Sequence, residues 1–137
     1  MSPILYPVIA MLALTALVWL ALFLTRIPAI GKSGLPPETF ATPSGAEQLP
    51  DHTKNISNNF KNLFEVPIVF YTLCLTMAIG GLVDGTHVSM AWGFVALRAL
   101  HSLVHCSYNK VMHRFLAYAG SCVLLWVMLV RLILAAI

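Results

Sequence analysis

Charge is what this sequence has least of. Lys and Arg number 8 and Asp and Glu 5 in 137 residues, 9% in all, beside 59% hydrophobic residues. Typical soluble domains carry roughly a quarter charged residues. The deficit excludes a disordered chain and argues against a water-exposed globule, so the class is an integral membrane protein. The basic residues form no run, and the net charge of +3 carries no nucleic-acid signature. The 3 cysteines, Cys74, Cys106 and Cys122, are odd in number and without a CxxC pair, so they point to no disulfide framework. They read as small, weakly polar packing residues within apolar runs. No internal repeat of the kind that marks a transporter is visible.

Long apolar runs are present. A membrane helix needs about 20 mostly apolar residues. Residues 4–24 supply such a run with no charge, and with no Lys or Arg before it they read as a retained span rather than a cleaved leader. Further spans are expected at about 64–83, 88–105 and 115–137. Residues 25–55 hold five prolines and three glycines and predict a mostly irregular loop. The links "DGTH" (84–87) and "SYNKVMHR" (107–114) are short, and short links join antiparallel neighbours. The fold class read here is all-α, an antiparallel four-transmembrane-helix bundle in one domain, 1–137. Arg26, Lys32, Lys54, Lys61, Lys110 and Arg114 fall on one side of it, which places the long loop on the cytoplasmic side and both termini opposite. Arg131, near the far end of the last span, runs against that bias.

Within the apolar runs sit polar groups that lipid does not tolerate cheaply. Asn55, Asn58 or Asn59, Asn62 and Glu65 recur at three and four residues and share one stripe of the second span. Arg98, His101, Ser102, His105 and Asn109 do the same on the third. Arg98 lies roughly 10 Å along the helix from His105 and is the natural partner for Glu65, because an isolated buried ion costs several kcal/mol. Two readings stand: a polar pocket open to the cytoplasm, or an inter-helix pair that fixes the bundle. "HSLVH" places His101 and His105 at i and i+4, a spacing that zinc uses. The intervening residues lack the glutamate of HExxH, and proton-handling or hydrogen-bonded interior histidines are expected instead of a metal site. Arg114, Tyr118 and Tyr108 read from the residues alone as interfacial anchors. Pro67 is expected to kink the second span beside Glu65.

Taken together, Asn62, Glu65 and Pro67 in "N-x-x-E-x-P", "AWGFVALRALHSLVH" on the third span, and an Arg–Tyr pair opening the fourth resemble the MAPEG family, the membrane-associated proteins of eicosanoid and glutathione metabolism. The similarity extends over essentially the whole chain, and "RALHSLVHCSYNKVMHRF" looks most like its bacterial branch. The resemblance implies a homotrimer with glutathione as co-substrate, bound between subunits, and transferase or peroxidase chemistry on lipophilic electrophiles. It implies glutathione contacts for Asn62 and Glu65 and ligand-binding places for Arg98 and His101. It implies thiolate stabilisation for Arg114, and pocket positions for Tyr118 and His105, with Tyr108 as a further donor. Part of the family has an arginine where this chain has Asn58. Glutathione carries two carboxylates, for which arginine is the strong partner, and Lys54, Lys61 and Lys110 are candidates to compensate. A non-catalytic membrane scaffold or partner-binding protein of the same fold is the other class of function consistent with these residues.

Overall fold

Helix α1 runs Leu5–Ser33, past the expected end near residue 24 and through Pro28. At 1.5 Å per residue its 29 residues span about 44 Å, longer than the roughly 30 Å hydrocarbon layer. The extra turns carry Arg26 and Lys32 beyond the apolar stretch. Gly34, at φ 71°, stops the helix with the left-handed residue that glycine supplies without a Cβ penalty. The computed structural model describes residues 1–137, the side chain of Ala136 apart.

The expected loop 25–55 is largely helical. After α1 come a 3-10 turn, Pro37–Ala41, and the short helix α2, Pro43–Ala46. Helix α3, Asp51–Asn62, follows. The correction has a plain cause: Pro37 and Pro43 occupy first helical positions and Pro50 precedes the first residue of α3. There the missing N–H costs nothing and the fixed φ assists the turn. Thr42 caps α2 by accepting from the Gly45 amide at 3.2 Å. A Cβ on Gly45 would lie 1.6 Å from the Thr39 carbonyl oxygen, so no other residue fits between these two turns.

The second span is broken where a kink is expected. Helix α3 ends at Asn62, and α4, Val66–Gly80, starts with Pro67 in its first turn. A continuous helix would press the Pro67 ring against the Leu63 carbonyl and leave a hydrogen bond unmade. Helix α4 ends at Gly81, φ 68°, and α5, Gly85–Cys106, begins at once behind the Asp84 cap. Helix α6 is Val111–Ala136. The short links turn α4, α5 and α6 antiparallel, with α5 and α6 in the most extensive contact and α1 packed on α3, α4 and α5. Phe70 and Phe94 stack at 4.3 Å among the buried Met11, Met77, Leu125 and Met128.

Three helical stretches, Leu5–Ser33, Asp51–Gly80 and Val111–Ala135, are long and apolar enough to cross a membrane, and their outward faces are apolar, Ile79 and Leu134 among them. The protein is an integral membrane protein. Helix α5 is the more polar one, and it turns His87, Arg98, His101, Ser102 and His105 inward.

Arg131, the exception to the charge bias, has a local partner. Its Nη2 donates to Asp84 Oδ2 at 2.7 Å, tying α6 to the α4–α5 link, while Asp84 Oδ1 accepts from the His87 amide at 2.7 Å. The His87 amide first, and then Arg131, hold the Asp84 carboxyl below the usual carboxylate range. A carboxyl depressed on folding adds stability above its ordinary pKa of about 4 and loses it as pH falls through the lowered value. The Asp84→Asn variant is therefore expected to melt below the parent protein at neutral pH. The two melting temperatures should converge as the pH is taken below about 4.

Candidate functional site

The break between α3 and α4 builds the site. With no further helical turn beyond it, the Asn62 carbonyl accepts only a long bond from the Glu65 amide, 3.4 Å, and keeps room for a second donor. Arg98 Nη2 takes it at 3.0 Å and the Asn62 side-chain oxygen at 2.6 Å. The amide nitrogen of Asn62 donates to Glu65 Oε2 at 2.8 Å. The expected Glu65–Arg98 ion pair is therefore replaced by a relay through Asn62. Glu65 ends up at the start of α4 on the exposed side, while Arg98 is 0% exposed. The Arg98 guanidinium sits 5.4 Å from the centre of the Tyr118 ring, within cation–π range. Its Nε and Nη1 have no hydrogen-bond partner among the described residues.

One turn along α5, His101 Nδ1 lies 2.9 Å from the Arg114 carbonyl. A carbonyl only accepts, so Nδ1 carries the proton and Nε2 is left as the free nitrogen. The His101 and His105 rings meet edge to face at 5.3 Å, and His101 lies 5.9 Å from the Tyr118 ring. His101 Nε2 and His105 Nδ1 are both buried without a hydrogen-bond partner among the described residues. These groups line a cavity of about 240 Å³ between Asn62, His101, His105, Arg114, Phe115 and Tyr118, with Val111 at its edge. Buried polar atoms are nearly always satisfied, so these two orphans beside the cavity stand out.

The structure brings together Asn62, His101, His105, Arg114 and Tyr118, with Arg98 beneath Tyr118 and Glu65 reached through Asn62. Within the chain it places the other expected site residues elsewhere. Asn58 and Lys61 line a separate polar groove with Arg26, Glu47 and Lys54. Tyr108 pairs with His113 Nδ1 at 3.0 Å and borders an apolar groove beside Leu100 and Val104.

Two features escape the sequence reading. Asn109 and Asn55 form a chain to Arg114, and Asn59 forms an interior node. Both lie in the polar stripes noted from the spacing, but spacing does not say what each amide touches. Asn59, 0% exposed, accepts from Ser102 Oγ at 3.2 Å and donates to Cys106 Sγ at 3.3 Å, joining α3 to α5. Asn59→Ala strands the Ser102 hydroxyl and is expected to cost about 1–3 kcal/mol. Detergent-solubilised variants followed by circular dichroism during thermal unfolding provide the check.

The sequence model of the MAPEG family matches residues 4–134. Neither a curated protein nor a solved structure matches the chain.

Proposed function

The chain belongs to the MAPEG family, and from that premise we propose that it is a glutathione-dependent, or other thiol-dependent, membrane transferase or peroxidase acting on lipophilic electrophiles. The observation that carries this reading is the cavity of about 240 Å³ at which Arg114 meets the orphaned nitrogens of His101 and His105. In this reading α5 is the fourth span. The long segment between α1 and α3 and the site face the cytoplasm, and the termini face the other side. Three copies assemble, and a neighbouring subunit gives Asn58, Lys61 and Tyr108, which point away from the cavity within one chain, a route to the bound tripeptide.

Each residue then has a task set by its chemistry. Asn62 and Glu65 receive the amino end of glutathione, and Arg98, behind them, keeps three unfilled N–H groups on Nε and Nη1. Arg114 places a cation beside the sulfur, which lowers the thiol pKa from about 8.5 and raises the thiolate fraction at neutral pH. The thiol proton leaves to water; His105, Tyr108 and Tyr118 serve as fallback hydrogen-bond donors to the thiolate, and the thiolate displaces the leaving group of an electrophile entering from the bilayer. Calorimetric titration of the detergent-solubilised protein with glutathione tests the binding half. Saturation at millimolar concentration or below supports the proposal, and no heat across that range removes it.

A second reading, a non-catalytic scaffold or partner-binding protein of the same fold, is favoured by Asn58. This residue is exposed and uncharged where part of the family carries an arginine for a glutathione carboxylate. It is distinguished by assembled protein that fails to bind the thiol.

A further inference from the structure

Arg114 lies in the first turn of α6, where a long cationic side chain normally swings out toward water. Here it is held. Its Nη1 donates to Asn109 Oδ1 at 2.6 Å, and Asn109 Nδ2 donates to Asn55 Oδ1 at 2.8 Å. Its own carbonyl lies 2.9 Å from His101 Nδ1. Thus α3, α5 and the α5–α6 link all converge on one residue. Asn109 reaches this position through an unusual backbone: φ is 49°, the one positive value at a non-glycine position among the described residues. Asparagine is among the few side chains that visit this region, and residues held there cluster where function demands it.

The chemistry of the anchor is equally specific. No carboxylate lies within 4.0 Å of Arg114 among the described residues. An amide oxygen satisfies one guanidinium N–H without cancelling the positive charge, whereas a carboxylate would cancel it. We propose that Asn109, backed by Asn55, is a positioning residue that aims Arg114 into the cavity while leaving its charge free for an anionic sulfur. This inference rests on the thiol-dependent reading above and adds a residue to it.

Two variants separate the anchor from the charge. Asn109→Gly accepts φ 49° and removes the acceptor. Asn109→Asp keeps an acceptor and adds a negative charge. The titration of bound glutathione, followed by thiolate absorbance against pH, is expected to move up by about one unit in Asn109→Gly, a tenfold loss of thiolate at neutral pH. Glutathione affinity should change by less than about threefold. Modification of Arg114 by phenylglyoxal, read by peptide mass spectrometry, should be faster in Asn109→Gly than in the parent protein. In Asn109→Asp the thiol titration should also move up, while Arg114 stays slow to react.

A titration in Asn109→Gly that superimposes on the parent curve, while Arg114→Ala moves it, overturns the role of Asn109 and leaves the thiol reading intact. An unchanged or lowered thiol pKa in Asn109→Asp overturns the charge argument. A parent protein with no thiolate signal at saturating glutathione overturns the thiol reading and this inference together.

Discussion

Arg114→Ala is expected to lower kcat/KM toward glutathione and 1-chloro-2,4-dinitrobenzene by about 100- to 1000-fold, the range seen when one preorganised charge-stabilising donor is removed. The side chain borders the cavity, so its loss removes the cation that favours the thiolate. The fold should survive, because the link from this position to His101 is made by the backbone carbonyl and alanine keeps it. Most of the loss belongs to the thiolate, so it should shrink when the assay pH is raised past the ordinary thiol pKa of about 8.5. Arg114→Lys keeps a charge and loses the planar fork that fits Asn109, and an intermediate rate is expected. Equal turnover in Arg114→Ala and the parent protein would remove this residue from the mechanism.

Asn62→Ala is expected to damage both stability and binding. Arg98 is completely buried, and both of its hydrogen bonds run to Asn62, one to the backbone oxygen and one to the side chain. Alanine deletes the shorter bond and also frees Glu65 from the Asn62 amide. A hydrogen bond to a charged group is worth roughly 1.5–3 kcal/mol, so a loss of about 2 kcal/mol is expected, visible as a lower thermal midpoint. Glutathione affinity should fall as well, since the relay between Arg98 and Glu65 is gone. The double variant Asn62→Leu with Arg98→Met separates the two effects. Replacing a buried polar pair with apolar residues of similar volume is often neutral or stabilising. The double variant should regain stability and remain unable to bind. Recovery of binding in it would mean that neither side chain touches the ligand.

The same two residues mark the boundary of what the sequence makes legible. Helical periodicity finds the polar stripes, because it depends only on residue spacing. It finds the tight α4–α5 turn, because Gly81 and the Asp84 cap are local signals. Charge alone pairs Glu65 with Arg98, but the break before Pro67 turns Glu65 outward and leaves Asn62 facing the arginine, a consequence of the expected kink that spacing does not specify. Counting proline as a breaker makes residues 25–55 look like a loop, yet Pro37, Pro43 and Pro50 stand at helix starts, where it is a former. Arg131 is an exception to the charge bias by spacing alone, and its partner Asp84 is visible only in the fold. The hold of Asn109 on Arg114 depends on a left-handed backbone residue in a link, and nothing in residue spacing encodes that angle.

The most direct test of the central claim is the ultraviolet absorbance of thiolate when the parent protein is mixed with glutathione at neutral pH. The expected result is a signal that rises and saturates with the same midpoint as the calorimetric heat, and that Arg114→Ala abolishes. Saturable heat with no thiolate signal, or a signal untouched by Arg114→Ala, would contradict it.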